Sequence, residues 1–265
     1  MGIRRHIPNA LTCCNLLCGC FATVFSKAPS LALMFVLIAA VFDFLDGLAA
    51  RALRVYSPLG KDLDSLADMV SFGVAPAVVG FWYVAGLTSA ASASGSSFWG
   101  YNWLWALLPL LLAVFSALRL AKFNNDNRQK DNFIGLATPS CAILFIALIC
   151  CMPRQVIAFT PHSSLSDSTL LSWGSWYCWL PVVAVPVLCW LLVSRIPMFS
   201  MKFRNLSWAD NRTRYIFLMI VAVEAVMAIL GGFSFPTLIV AVLTTYILVN
   251  LLLVYSCTPK RTVSD

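Results

Sequence analysis

The chain concentrates carboxylates in one short stretch of an otherwise apolar sequence. Asp43 and Asp46 lie three residues apart, and Asp64 and Asp68 lie four apart, so each pair shares one face of a helix. Carboxylates inside apolar segments are costly and mark functional sites. Repulsion among four of them is relieved by a hard divalent cation such as Mg²⁺, Mn²⁺ or Ca²⁺. The pattern predicts a metal site that receives a phosphate-bearing substrate.

Small residues and a cation follow the first acid pair. Gly47 and Ala50 project from the same side of the helix as Asp43 and Asp46, and their small size lets a ligand approach the backbone. Arg51 comes one turn after Gly47, where its guanidinium is placed to hold a phosphate by paired hydrogen bonds. These residues predict that the substrate's phosphates lie beside the acids.

A turn separates the two acid pairs. Ser57, Pro58 and Gly60 predict this turn and make the two acid-bearing helices antiparallel neighbours. An alternative interpretation is a solvated cluster in which the acids pair with nearby lysine and arginine side chains. Asp62 fits that alternative, whereas the spacing of the other four acids is too regular for it.

The elements that carry these residues must be membrane helices. The chain has 265 residues, of which 60% are hydrophobic and 11% charged, with a mean hydropathy of +0.85. A soluble domain has about 25% charged residues, so lipid is the expected solvent. The apolar segments are too long and too continuous for barrel strands. We predict an all-α polytopic membrane helix bundle that forms one domain over residues 1–265.

Eight apolar segments have lengths close to the roughly 20 residues that a membrane span requires. Glu224 lies within the seventh of them, and we expect it to form hydrogen bonds inside the bundle or at a dimer interface. The predicted spans are 9–26, 31–50, 63–84, 103–122, 134–152, 177–194, 214–231 and 236–256.

The basic residues predict how these spans are oriented. With the N-terminus in the cytoplasm, all of the 18 Lys and Arg residues except Lys27 and Arg154 fall on the cytoplasmic side. This asymmetry is the positive-inside rule, and it also places the C-terminus and the acid pairs at the cytoplasmic face of the cell membrane. The net charge of +7 therefore reports topology, and we expect no nucleic acid partner.

The acids and small residues together form the pattern D-x2-D-G-x2-A-R-x8-G-x3-D-x3-D over residues 43–68. This pattern resembles the signature of the CDP-alcohol phosphotransferases. Eight typed positions at fixed spacing, divided between two predicted spans, make the resemblance specific. It implies transfer of a substituted phosphate group from a CDP-activated donor to an alcohol, with release of CMP.

Further segments resemble one branch of that family, the CDP-diacylglycerol–serine O-phosphatidyltransferases. They are IPNALTCCNLLCG at 7–19, GKDLDSLADMVSFGVAPA at 60–77, ALRLAKFN at 117–124 and FIGLATP at 133–139. One departure is Ala137, where that branch leads us to expect proline. The resemblance implies that CDP-diacylglycerol is the donor and L-serine the acceptor.

The resemblance also assigns roles to individual residues. It implies two Mg²⁺ or Mn²⁺ ions bound by Asp43, Asp46, Asp64 and Asp68, with Asp68 also acting as the general base. The glycine, alanine and arginine positions of the signature line the CDP site, and two residues of the first span contribute to its edge. The implied CDP-binding residues are Asn9, Thr12, Asp43, Asp46, Gly47, Ala50, Arg51, Gly60 and Asp64.

An acceptor with a carboxylate requires a nearby cation. Arg119 and Lys122, at the inner end of the fourth span, together with Asn124, are the predicted acceptor-binding residues. The alternative is that Arg119 and Lys122 only anchor the span at the membrane surface. By resemblance we also expect a homodimer in contact with membrane lipid.

Other functions remain open at this point. One alternative stays within the family, because the signature reads only the nucleotide. In that alternative the acceptor is another alcohol, such as glycerol 3-phosphate or inositol phosphate, or the donor carries archaeal-type lipid chains. The alternative outside the family is a divalent cation transporter that uses the acidic site. The sequence shows no internal repeat of the kind common in transporters. No Ser-His-Asp set or phosphate-binding glycine loop suggests another enzyme class.

Overall fold

A computed structural model of the chain describes residues 6–55, 57–93, 102–125, 133–152, 178–198 and 208–257. Within these ranges the chain is helical except for short turns and one two-stranded antiparallel sheet. The predicted all-α membrane helix bundle is therefore confirmed.

The elements are numbered in chain order. A π-helical segment directly follows the helix that carries Asp64 and Asp68. The helices are α1 (Ile7–Val24), α2 (Pro29–Ala52), α3 (Pro58–Asp68), the π segment (Met69–Val74), α4 (Ala75–Ala93), α5 (Asn102–Leu107), a 3-10 turn (Leu108–Leu110), α6 (Leu111–Asn125), α7 (Thr138–Cys150), α8 (Leu180–Val193), α9 (Trp208–Leu230) and α10 (Phe235–Cys257), and the strands are β1 (Phe133–Ile134) and β2 (Pro197–Met198).

Helical segments occupy all eight predicted spans, but their lengths differ. Six are long and apolar enough to cross a membrane, whereas α7 and α8 have 13 and 14 residues. Most of α7 is buried by other helices, whereas α8 buries one half and exposes an apolar face that includes Val183, Val187 and Trp190. Both helices are shorter than the roughly 20 residues of a regular span. The exact number of spans stays a prediction.

The connection between α2 and α3 is shorter than the sequence indicated. Arg54, with φ of 54°, ends α2 in the left-handed conformation, and the amide of Val55 closes the last turn on the carbonyl of Ala50. Ser57 then caps α3 by accepting a hydrogen bond from the amide of Gly60 at 3.0 Å. The prediction of Pro58 and Gly60 as turn residues was wrong, because both already belong to the helix.

The first helix joins the two acid-bearing helices. α1 packs along α2 and also against α3 and the π segment, so α2 and α3 are positioned largely through α1. The closest approach is at Gly19, where an added Cβ would lie 2.4 Å from the hydroxyl oxygen of Ser71 and 2.9 Å from its backbone nitrogen. Only glycine permits this crossing, which brings the middle of α1 against the π segment directly after Asp68.

The other side of the π segment is covered by α6. Ser116 of α6 lies beside Gly73, where an added Cβ would be 3.3 Å from the Cβ of Ser116. α7 packs against α2, α4 and α10, and α8 packs against α6 and α7. The sheet pairs Phe133 with Met198 and so ties the chain entering α7 to the chain leaving α8.

Two of the charged residues singled out in the sequence find partners inside the fold. Lys27, an exception to the predicted charge asymmetry, places its ammonium 4.1 Å from the ring centre of Trp82. Glu224 accepts a hydrogen bond from the hydroxyl of Thr245, which joins α9 to α10 and confirms the predicted bond within the bundle. Both chain termini and the basic loops 126–132 and 199–207 lie outside the described residues, so the cytoplasmic orientation stays a prediction.

Candidate active site

Three carboxylates from two helices meet in one cluster. Asp43 of α2 and Asp64 and Asp68 of α3 each offer an oxygen, and these oxygens all lie within 4.8 Å of one another. The i, i+4 spacing of Asp64 and Asp68 puts both on the side of α3 that faces α2. We call Asp43, Asp64 and Asp68 the acid triad.

The acid triad has the properties of a divalent cation site. Two oxygens bound to one Mg²⁺, Mn²⁺ or Ca²⁺ ion at about 2.1–2.5 Å lie no more than about 4–5 Å apart, which matches the observed separation. Oδ1 of Asp64 is buried and accepts no hydrogen bond. A buried carboxylate oxygen without a donor is strongly destabilised unless a positive charge satisfies it. The three side chains therefore fit a hard cation.

The fourth predicted ligand, Asp46, lies outside the triad. Its side chain is buried, and Oδ2 accepts a hydrogen bond of 2.6 Å from the hydroxyl of Thr12 on α1. The structure thus brings three of the four predicted acids together and places the fourth toward α1. A role for Asp46 as a metal ligand stays a prediction.

An asparagine that the sequence analysis did not single out contacts the triad. Asn15 of α1 is fully buried, and its Nδ2 donates a hydrogen bond of 3.1 Å to Oδ1 of Asp68. The sequence contained one signal for this residue, because Asn15 is a polar side chain three residues after Thr12 in an apolar helix. That spacing puts both residues on the face of α1 that meets α2 and α3, but only the fold reveals the partner.

Next to the triad, an open cavity lies between the polar ends of α1, α2 and α3. Asp46 and Asp64 both reach its wall, so the cavity adjoins the candidate cation site. The lining residues are Pro8, Asn9, Thr12, Asp46, Gly47, Ala50, Val55, Ser57, Gly60, Lys61 and Asp64. Of the nine residues predicted to bind CDP, all but Asp43 and Arg51 are in this wall.

The two glycines of the signature have different roles at this cavity. A Cβ added to Gly47 would have only the guanidinium of Arg51 near it, at 4.0 Å, so the backbone of α2 is open to a ligand there. Gly60 serves packing instead, because an added Cβ would lie 3.0 Å from Oγ of Ser57 and 3.1 Å from Oδ1 of Asn9. Its missing side chain lets the start of α3 approach α1.

The cation that lines the cavity is Lys61, whereas the predicted cation was Arg51. Nε of Arg51 donates to the carbonyl of Gly47 at 2.9 Å, which folds the exposed side chain back along its own helix. Lys61 is exposed at the cavity wall, and its Nζ donates to the carbonyl of Asn124 at 3.3 Å. A single lysine among acids gave no sequence signal, because its neighbours suggested a surface ion pair.

The three predicted acceptor-binding residues lie in different surroundings, and Arg119 is the buried one. Arg119 is only 8% exposed, and its Nη1 donates to the hydroxyl of Thr138 at 3.2 Å. Its Nε is buried without a hydrogen-bond partner. α6, which carries Arg119, packs against the π segment that follows Asp68. Arg119 is therefore a buried cation with a spare donor. Its helix packs against the segment that continues α3 beyond Asp68.

Lys122 and Asn124 lie nearer the end of α6. Lys122 is exposed, and Asn124 donates from Nδ2 to the hydroxyl of Ser65 at 2.9 Å. Since the side-chain amide of Asn124 already binds α3, it joins the two helices in this structure. Acceptor binding by Arg119, Lys122 and Asn124 stays a prediction.

Apolar helices that enclose a carboxylate triad beside an open polar cavity define a polytopic membrane protein with a candidate cation site. The sequence profile of the family described as CDP-alcohol phosphatidyltransferase matches residues 5–190, well over half of the chain. The chain belongs to this family, and the family assignment made from the sequence motif is confirmed.

Individual relatives point to the predicted branch of the family. The chain is 30% identical over 147 residues to a CDP-diacylglycerol–serine O-phosphatidyltransferase of Bacillus subtilis, a match that covers 54% of this chain and 75% of the relative. It is 30% identical over 207 residues to the protein of that name from Mycobacterium leprae, covering 74% and 58%. The match to the Mycobacterium bovis protein is 35% identical and covers 54% and 48%. The chain thus spans from half to three quarters of the length of these relatives.

Proposed function

We propose that this protein transfers the phosphatidyl group of CDP-diacylglycerol to the hydroxyl of L-serine and releases CMP. The observation that carries the proposal is the acid triad beside a cavity whose wall contains most of the family signature. The names of its relatives support serine as the acceptor.

The cavity is the proposed donor site. The nucleotide lies against α2 at Gly47, where the backbone is open, and at Ala50, and against Asn9 and Thr12 of α1. The diphosphate extends toward Asp64, and Lys61 provides a positive charge at the same wall. The acyl chains of the donor then leave the site sideways into the lipid.

The metal site follows from the same residues. Asp43, Asp64 and Asp68 would hold a divalent cation, Mg²⁺ or Mn²⁺, and Asp46 would complete a second site. The bound ion would supply positive charge that neutralises the diphosphate. Without a cation, three close carboxylates and a diphosphate repel one another. Donor binding is therefore expected to depend on the divalent ion.

Asp68 is the proposed general base. It takes the proton of the acceptor hydroxyl as that oxygen forms a bond to the phosphorus carrying the diacylglycerol group. The bond from this phosphorus to the oxygen bridging to CMP breaks, and CMP leaves with the electron pair. Arg119 is the proposed partner of the serine carboxylate, since its buried Nε has no other hydrogen-bond partner. Lys122 and Asn124, further along the same helix, are the other proposed contacts of the acceptor.

The proposed setting is the cytoplasmic membrane, with the site open to the cytoplasm and the protein present as a homodimer. The charge asymmetry of the loops supports the orientation, and resemblance to the family supports the dimer. Soluble serine then reaches the site from the cytoplasm while the donor remains in the bilayer.

The proposal is tested with purified protein in detergent, CDP-diacylglycerol, Mg²⁺ or Mn²⁺ and a panel of alcohols. We expect CMP release with L-serine and phosphatidylserine as the lipid product, measured by mass spectrometry. Release only with glycerol 3-phosphate or inositol phosphate would keep the transfer reaction and replace the acceptor. Absence of CMP release with every alcohol, together with ion uptake into proteoliposomes, would favour a divalent cation transporter instead.

Lys61 is expected to contribute to donor binding. Replacing it in Lys61→Met keeps the length of the side chain and removes the charge beside the diphosphate. We expect the KM for CDP-diacylglycerol to rise about tenfold with kcat changed less than about threefold, because a charged hydrogen bond is worth about 1.5–3 kcal/mol. The matched control is Arg195→Met, which removes an exposed cation outside the cavity wall. An unchanged KM for Lys61→Met would exclude this lysine from the donor site.

A further inference from the structure

Asn15 occupies an unusual position for an amide. It lies in the middle of the apolar helix α1, is 0% exposed, and directs its Nδ2 to Oδ1 of Asp68. Burying an amide costs free energy unless its hydrogen bonds are made inside the protein. The bond to Asp68 is the one that its side-chain nitrogen makes.

The orientation of this amide is set by Asp68. Rotating the amide by half a turn would put its oxygen against the carboxylate oxygen, where two acceptors repel. In the orientation present, Oδ1 of Asn15 is buried without a hydrogen-bond partner. Such a buried, unpaired group destabilises the fold, and it calls for an explanation. The unpaired oxygen is the consequence of directing the nitrogen to Asp68.

The backbone around Asn15 is fixed from the opposite side. The hydroxyl of Ser71, in the π segment, donates to the carbonyl oxygen of Asn15 at 3.0 Å. One turn further along α1, Gly19 lets the π segment approach to contact distance. Asn15 therefore lies on a helix that packs directly against the segment following Asp68.

We propose that Asn15 is a positioning residue for Asp68. Its amide occupies one carboxylate oxygen and so directs the other toward the acceptor hydroxyl. This inference rests on the proposed function, because it assigns Asn15 to the base of that reaction. It also explains why the position carries an amide, since an apolar residue would fill the same volume without leaving an unpaired oxygen.

The test is the Asn15→Leu variant, which has nearly the same volume and cannot donate a hydrogen bond. Kinetics are measured with CDP-diacylglycerol and L-serine at saturating Mg²⁺, so that metal affinity does not limit the rate. We expect kcat to fall about 10- to 100-fold, since a positioned base contributes about 10²–10⁴ and the base itself remains. Both KM values should change less than about threefold, and the Tm should stay within a few degrees of wild type.

The matched control is Ser71→Ala, which removes the hydrogen bond to the backbone of Asn15 and leaves its side-chain amide in place. We expect this variant to lower the Tm while kcat stays within about twofold of wild type. If Asn15→Leu does not fold, Asn15→Ser is measured in its place, with the same expected loss of kcat, because its short hydroxyl does not reach Asp68.

Each other outcome decides against the proposal. An unchanged kcat for Asn15→Leu, or an equal loss for Ser71→Ala, would show that the amide has no special role at Asp68. Failure of both Asn15 variants to fold would make the residue a determinant of the fold only. A wild-type protein that releases no CMP with any alcohol would instead refute the proposed function itself.

Discussion

Replacing the proposed base in Asp68→Asn is expected to lower serine-dependent CMP release about a thousandfold. The amide has the same shape as the carboxylate but takes up no proton, and general bases contribute about 10²–10⁴ to the rate. Asp68 also belongs to the acid triad, so the loss is expected to exceed the lower end of this range. The measurement is CMP release by purified protein at saturating donor and serine.

The control for this prediction is Asp62→Asn on the same helix. Asp62 is exposed and lies outside both the triad and the cavity wall. The rate of CMP release by Asp62→Asn is therefore expected to stay within about twofold of wild type. A rate for Asp68→Asn within tenfold of wild type would remove Asp68 from the chemistry. Equal losses in both variants would mean that any change of charge on α3 disturbs the protein.

Replacing a triad carboxylate in Asp64→Asn is expected to have opposite effects on stability and on activity. Without divalent ions the variant should have a higher Tm than wild type, because it removes a buried, unpartnered negative charge close to two others. With Mn²⁺ the wild type should gain stability, by about 2.7 kcal/mol at 100 times Kd, whereas the variant should gain little. CMP release by the variant should fall at least about a hundredfold.

Thermal unfolding with and without Mn²⁺, and Mn²⁺ binding by calorimetry, measure both parts of this prediction. Asp62→Asn again serves as the control, with the Mn²⁺-induced rise in Tm expected to match that of wild type. Retained Mn²⁺ binding in Asp64→Asn would exclude Asp64 as a ligand. A lower Tm without metal would mean that the buried carboxylate has a stabilising partner other than an ion.

The sequence was most informative where one local pattern determines the outcome. Long apolar runs predicted the positions of the helices, because each run must be buried in lipid or in the bundle. The i, i+4 spacing predicted that Asp64 and Asp68 share a face, which is a property of any helix. The specific spacing of the family signature then identified the cavity wall, although nothing in the local pattern shows a cavity.

The sequence was less informative where the outcome depends on contacts between helices. Asp46 shares a face with Asp43, yet the crossing of α1 over α2 places Thr12 next to it, and it lies outside the triad. Arg51 was expected to face a phosphate, but in this structure its flexible side chain bonds to its own helix. Asn15 acquires a role only because Gly19 allows α1 to lie against the π segment.

The π segment between α3 and α4 has a consequence for how this chain tolerates changes in length. Each residue turns an α-helix by about 100°, whereas a π turn closes one residue later and so holds about one residue more. The six residues Met69–Val74 therefore cover about the same rotation as five residues of a regular helix. Deleting one residue within this segment would restore a regular helix and leave α3 and α4 facing nearly the same neighbours. A deletion within the regular turns of α4 would instead rotate the rest of that helix by about 100° and expose its buried side. The π segment is thus the stretch of this helix where a change of one residue in length is best accommodated.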